Sequence, residues 1–168
     1  YLSIQAEKKF EIYGSKRMHE RPIKVLVDSL NSIGADIKYL EKDGFPPLLI
    51  RGKKIQKDSI SIPSNVSSQY ISALLLISPM LKNGLTIKLK EAITSRPYID
   101  MTLFFLKNIG VKLISKQYEI KVAHTKSIKD LEYSVESDWS SLSYFYSIVS
   151  LAKNAYLKID KFHKNTVQ

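Results

Sequence analysis

Four short blocks hold the residues whose types and spacing could do chemistry. Ser67-Ser68-Gln69 sets two hydroxyls and an amide at the start of the apolar run Tyr70–Leu81. A helix opening there leaves free backbone N–H groups and the positive end of its dipole beside those side chains, which suits an anion. The simpler role for Ser67 or Ser68 is helix N-cap, worth about 1 kcal/mol. Arg21, ahead of Pro22, stands at the opening of a second apolar stretch, and Ser95 and Tyr98 flank Arg96-Pro97 at a third. Arginine grips carboxylate or phosphate through a two-pronged fork. Tyr98 offers a ring to stack on and a hydroxyl to donate. The plainer readings are a surface Arg21 paired with Glu20 or Asp28, and a half-buried Tyr98. In the fourth block, Asp138-Trp139-Ser140-Ser141, Asp138 reads as an N-cap, with a role as acid or base the alternative.

Other chemistries are excluded. His19, His124 and His163 are scattered without metal-ligand spacing, so no metal or other cofactor is expected. The chain has no cysteine, which removes disulfides, thiolate metal sites and a thiol nucleophile. There is no glycine-rich phosphate loop, nucleophile elbow or dinucleotide fingerprint. The net charge is +10, from 26 Lys and Arg against 16 Asp and Glu. Lys38, Lys42, Lys82, Lys88 and Lys90 stand singly near element ends, with no basic block and no interleaved aromatics. That pattern argues against a nucleic-acid-binding module and leaves small anions open. With hydrophobic residues at 44% and charged residues at 25%, the 168-residue chain is globular and long enough for one domain with a real core. Its longest apolar run is interrupted by Ser72, Ser78 and Pro79, too short to span a membrane. No signal peptide is visible, and the opening at Tyr1 suggests a piece of a longer protein.

The elements that must position these blocks recur. Arg21–Ile33 places Ile23, Leu26, Val27, Leu30 and Ile33 on one helical face, with Gly34 as the stop. Pro97–Ile109 does the same with Met101, Phe104, Phe105 and Ile109, stopped by Gly110. Each opens on Arg-Pro, and proline is favoured in a first helical turn. A helix from Ser67 to about Leu81, a turn at Asn83-Gly84 and a strand Leu85–Leu89 are matched by a helix from Ser140 to about Lys153 and a strand Tyr156–Ile159. Short β-rich runs lie between: Ile37–Leu40, Leu48–Arg51, Ser59–Pro63, Val111–Ser115, Tyr118–Val122 and Tyr133–Val135. Phe10-Glu11-Ile12 matches the strand after Gly84. The chain therefore reads as a tandem repeat of roughly 75 residues. The divisions are 1–20, the end of one repeat, then 21–94 and 95–168, all within a single domain. The helix Ser67–Leu81 has so little polar surface that it should be buried nearly all round, with sheets outside.

Taken together, Arg17-Met18-His19-Glu20-Arg21-Pro22-Ile23, Ser67-Ser68-Gln69-Tyr70-Ile71-Ser72-Ala73, Ser95-Arg96-Pro97-Tyr98-Ile99-Asp100 and Glu136-Ser137-Asp138-Trp139-Ser140-Ser141 resemble the 5-enolpyruvylshikimate-3-phosphate synthases, in order and spacing, over nearly the whole chain. The resemblance implies an α/β fold (α+β in some schemes) of pseudo-symmetric βαβαββ repeats, with buried helices and outward-facing sheets. It implies a cytoplasmic enzyme that moves the enolpyruvyl group of phosphoenolpyruvate to the 5-hydroxyl of shikimate 3-phosphate and releases phosphate, without a metal. By position, Ser67, Ser68, Gln69, Ser95 and Tyr98 would bind shikimate 3-phosphate. Arg21 and Gln69 would face phosphoenolpyruvate. The family's Lys-Ser-Arg segment and its second domain, which carries the catalytic groups, are absent from this sequence, so the chain alone is expected to be catalytically incomplete. The rivals are the sister UDP-N-acetylglucosamine enolpyruvyl transferase and, from another class, a basic nucleic-acid-binding module.

Overall fold

A computed structural model describes residues 1–63, 67–91, 95–135 and 137–160. They form two compact units, Tyr1–Lys129 and Asp130–Gln168.

The first unit holds two sheets. Strands β1 (Lys9–Ile12), β2 (Asp36–Tyr39) and β3 (Leu48–Arg51) lie in the order β1-β3-β2, with both pairings antiparallel. Strands β4 (Ser59–Ile62), β5 (Leu85–Leu89), β6 (Leu113–Ser115) and β7 (Glu119–Val122) lie in the order β4-β5-β7-β6, with β4 parallel to β5 and the rest antiparallel. Four helices accompany them: α1 (Lys16–His19), α2 (Lys24–Ser32), α3 (Ser68–Ile77) and α4 (Arg96–Asn108). A 3₁₀ turn, Ser78–Met80, continues α3.

Pairing registers in the two sheets run alike. Phe10 and Ile37 flank Ile50 in the smaller sheet, as Leu85 and Leu113 flank Val122 in the larger. Each member of the first trio lies roughly 75 residues before its counterpart. The larger sheet with its helices runs β4-α3-β5-α4-β6-β7, a β-α-β-α-β-β unit over residues 59–122. The segment β1-α2-β2-β3 repeats its last four main elements.

Alternation along the strands decides which way each sheet faces. Ile60 and Ile62 on β4, Leu85, Ile87 and Leu89 on β5, and Ile120 and Val122 on β7 are buried, while Ser59, Ser61, Lys88 and Lys121 face solvent. The buried set packs against Ile71, Leu74, Leu75 and Ile77 of α3 and Ile99, Leu103 and Leu106 of α4. A smaller core joins Val27 of α2 to Ile37, Leu48 and Ile50. Each sheet thus turns one face to the helices and the other to solvent, while α2 and α4 bury one stripe and expose the other, at Asp28 and Asn31 and at Asp100, Phe104 and Lys107.

Several elements depart from the sequence reading. Helix α2 starts at Lys24 rather than Arg21, and the short helix α1 precedes it. Helix α3 is not buried all round, because Leu76 is exposed. The runs Tyr133–Val135 and Tyr156–Ile159 form no strand. In the second unit, helix α5 (Trp139–Leu151) buries Leu142 but exposes Tyr144, Phe145, Tyr146, Ile148 and Leu151. The expectation of buried helices fails furthest at α5.

Asp138 caps α5. One carboxylate oxygen accepts the Ser140 N–H at 2.8 Å, and the other accepts the Ser141 hydroxyl at 2.6 Å. The Ser141 hydroxyl first, and then the Ser140 N–H, hold this carboxyl below its ordinary value of 3.8. A carboxyl depressed in the folded state supports it fully above the unfolded value and loses that support as pH falls through the folded one. Protection of the Ser140 amide, its intrinsic exchange rate over the observed one, should therefore be steady down to about pH 5 and fall below about pH 4. Asp138→Asn keeps a cap and should remove that acid-side change; an unaltered pH profile in the variant would contradict this.

Gly84 turns into β5 with φ +69°, and a Cβ there would lie 2.2 Å from the Val122 carbonyl oxygen. Gly34 has φ +112° and open space around it. In urea unfolding, Gly34→Ala should cost about 1–2 kcal/mol from the backbone alone. Gly84→Ala should add about 1–3 kcal/mol from the collision. Equal losses would show that the β5–β7 ladder yields at that point.

Candidate functional site

Strand direction brings the helix openings together. Strands β1 and β2 both run antiparallel to β3, and β5 and β6 both run antiparallel to β7. Each helix α2, α3 and α4 therefore connects two parallel strands, β1 to β2, β4 to β5 and β5 to β6. Helices α3 and α4 each begin a few residues past a strand's C-terminal end, where ligands bind in sheets with such crossovers, while α1 stands between β1 and α2. Helices α3 and α4 pack side by side. Ser72 Oγ and Thr102 Oγ1 lie 3.0 Å apart between them, and Thr102 Oγ1 donates to the Tyr98 carbonyl at 3.2 Å.

Two adjoining clefts result. The first, about 550 Å³, is lined by Ser67, Ser68, Gln69, Ser72, Leu76 and Tyr98. The second, about 330 Å³, is lined by Arg21, Pro22, Pro46, Ser67, Gln69 and Tyr70 among others. Ser67 and Gln69 belong to both. Tyr98 lies on the first side and Arg21 on the second. Ser95 stands half-buried at the N-cap of α4 and lines neither cleft.

The Ser67 hydroxyl accepts the Gln69 N–H at 3.3 Å, so it is the N-cap of α3. A hydroxyl that accepts still has its own hydrogen to donate, so capping does not remove Ser67 from a binding role. Arg21 is exposed, and Asp28, its suggested partner, is bridged by Lys24 instead. Among the described residues, the Arg21 guanidinium, the Ser68 hydroxyl, the Gln69 amide and the Tyr98 hydroxyl make no hydrogen bond or ion pair. Nearby polar groups are engaged: Arg96 holds Asp100 at 2.7 Å and Ser115 at 3.0 Å. Neither cleft is lined by Asp or Glu. The walls thus combine one cation and several unoccupied donors on a mainly apolar surface, an arrangement that takes anions and offers them no repulsion.

Tyr70 and Ser72 were not singled out from the sequence. Their signal was a polar atom inside an apolar run: Tyr70 Oη donates to the Pro22 carbonyl at 2.6 Å, and Ser72 reaches α4. Two sequence candidates serve structural contacts. Asp138 belongs to the second unit, where its oxygens hold the α5 cap, and His19 Nε2 accepts the Gly14 N–H at 3.1 Å. Among the described residues, no group of three or more His, Cys, Asp or Glu could hold a metal ion. Val66, Glu136 and His163 lie outside the described residues. Among the described helices, none is long and apolar enough to cross a membrane.

The sequence model of the EPSP synthase family, 3-phosphoshikimate 1-carboxyvinyltransferase, matches residues 2–168. A 3-phosphoshikimate 1-carboxyvinyltransferase of Bacteroides fragilis is 41% identical over 157 residues, covering 94% of this chain and 38% of that protein. The one from Haemophilus influenzae strain PittEE is 39% identical over 169 residues, covering 99% and 39%. Among solved structures, an EPSP synthase from Acinetobacter baumannii matches the fold with a TM-score of 0.68 at 23% identity, over 86% of this chain and 31% of that one. The chain thus spans less than two-fifths of the length of these relatives, and it belongs to the EPSP synthase family.

Proposed function

We propose that the chain is most of the N-terminal domain of an enzyme that transfers the enolpyruvyl group of phosphoenolpyruvate to the 5-hydroxyl of shikimate 3-phosphate. Addition of that hydroxyl across the enol double bond gives a tetrahedral intermediate, and elimination releases inorganic phosphate. The observation that carries this reading is the pair of clefts sharing Ser67 and Gln69, with the unengaged Arg21 on one side and Tyr98 on the other. Ser67, Ser68, Gln69 and Tyr98, with Ser95 nearby in sequence, would hold shikimate 3-phosphate. The Arg21 fork would grip the anionic phosphoenolpyruvate, and Gln69 would touch both. The repeat blocks 1–20, 21–94 and 95–168 would form one domain, and a second domain of the same polypeptide would close over the clefts and supply the catalytic groups. The names of the relatives support 3-phosphoshikimate as acceptor and a carboxyvinyl group as what is transferred, and a cytoplasmic location is part of the same proposal.

The positive charge does not favour nucleic acid. One cleft is lined by Lys53, Lys54, Lys82 and His124, and no Phe, Tyr or Trp lines it for a base to stack on.

Calorimetric titration of the chain with shikimate 3-phosphate tests the reading. Binding should require the phosphate, so unphosphorylated shikimate should bind at least about tenfold more weakly. Ser68→Ala combined with Gln69→Ala should lose a similar factor, and UDP-N-acetylglucosamine should not compete. The chain alone should release no phosphate from phosphoenolpyruvate when shikimate 3-phosphate is added, whereas the full-length enzyme should. Equal binding of shikimate and its phosphate, or turnover by the chain alone, would sink the proposal.

A further inference from the structure

We infer that Tyr70 is a positioning residue for Arg21, a role that rests on the reading that Arg21 grips phosphoenolpyruvate. Tyr70 sits in the first turn of α3, with its N–H on the Ser67 carbonyl at 2.9 Å, and its ring lines the cleft that holds Arg21. Its hydroxyl donates to the Pro22 carbonyl at 2.6 Å across 48 residues of sequence. Two backbone bonds fix the same segment from other sides: Arg21 N–H on the Met18 carbonyl at 3.2 Å, and Ile23 N–H on the Gly44 carbonyl at 2.8 Å. Pro22 has no N–H, so its carbonyl is the one backbone group through which this residue can be held.

The second Arg-Pro pair shows what happens without such a tether. In α4, Arg96 and Pro97 lie inside the first helical turn, and the Arg96 guanidinium folds onto Asp100 and Ser115. In α2 the first helical hydrogen bond runs from Val27 N–H to the Ile23 carbonyl at 3.1 Å. The Pro22 carbonyl, engaged by Tyr70, does not start the helix. Arg21 is therefore kept out of α2, with its side chain unengaged beside Gln69. The hydroxyl of Tyr70 sets where α2 begins, and through that where the Arg21 fork stands relative to the mouth of α3.

Steady-state kinetics of the full-length enzyme test this, with Tyr70→Phe, Arg21→Lys and the double variant. Tyr70→Phe keeps the ring and removes the tether. It should raise KM for phosphoenolpyruvate about three- to tenfold, the effect of one lost hydrogen bond, with kcat and KM for shikimate 3-phosphate unchanged. Arg21→Lys keeps the charge but loses the fork and should raise the same KM. Tyr70→Phe should add nothing in that background, because the residues act as one unit. An unchanged KM in Tyr70→Phe, an equal rise for both substrates, or a full additional effect on top of Arg21→Lys would overturn the inference. If Arg21→Lys leaves the phosphoenolpyruvate KM unchanged, the assignment of Arg21 fails and this role fails with it. If Arg21→Lys raises it and Tyr70→Phe does not, only the positioning role fails.

Discussion

The parallel pairing of β4 with β5 is the constraint on which the rest depends. Two neighbouring parallel strands cannot be joined by a tight turn; the chain must travel back across the sheet, and here α3 makes the return. The return is stabilised by burial, with Ile71, Leu74 and Leu75 sealed against Ile60, Ile62, Ile87 and Leu89. A fully buried side chain of this size contributes about 1.5–3 kcal/mol relative to an exposed one. The direction of α3 is thus set by its core face, with no contribution needed from the polar residues at its mouth. Helices α2 and α4 obey the same rule through β1 and β2 and through β5 and β6. Packing decides which way the three helices run; Ser68, Gln69, Tyr98 and Arg21 stand at or just before their openings.

Identical dipeptides have different fates because of what surrounds their carbonyls and guanidinium groups. Arg96 finds a carboxylate one turn on, at Asp100, and joins its helix. Arg21 has Val25 at the corresponding place, and its neighbour Pro22 is drawn to Tyr70. Lys24, the first residue of α2, turns instead to Asp43 at 2.9 Å, and the bond to that carboxylate raises its ammonium above the usual value. The loop that carries Asp43 also supplies the Gly44 carbonyl for Ile23. The start of α2 is thus fixed by tertiary contacts rather than by the Arg-Pro signal.

Local signals explain what was legible in the sequence. Strand β3, the turn at Asn83-Gly84 and strand β5 could be read because alternation and a glycine with positive φ are local properties, and all three lie where expected. The start of α2 was hidden because it depends on Tyr70, 48 residues away. The missing strands at 133–135 and 156–159 had the right β-rich composition, but a strand exists only where a partner ladder is offered. The exposed flank of α3 at Leu76 escaped notice because composition reports how apolar a helix is, not which neighbours reach it. Within the candidate site, residue types pointed to anions, and geometry added that Ser67 and Gln69 border two clefts rather than one.

The lining of those clefts separates binding from proton transfer. An addition–elimination at an enol carbon needs one group to protonate that carbon and another to take the proton of the attacking hydroxyl. Side chains suited to such steps titrate between their two states near the working pH. Ser67, Ser68 and Gln69 offer hydroxyl and amide groups that hydrogen-bond rather than act as acids or bases. No carboxylate or histidine lines either cleft, and the nearby His19 accepts a backbone N–H from Gly14. Among the described residues, the clefts offer one guanidinium with hydroxyl and amide donors, and the titratable groups on their walls are the phenols of Tyr70 and Tyr98. The described lining is thus suited first to affinity and alignment of anions.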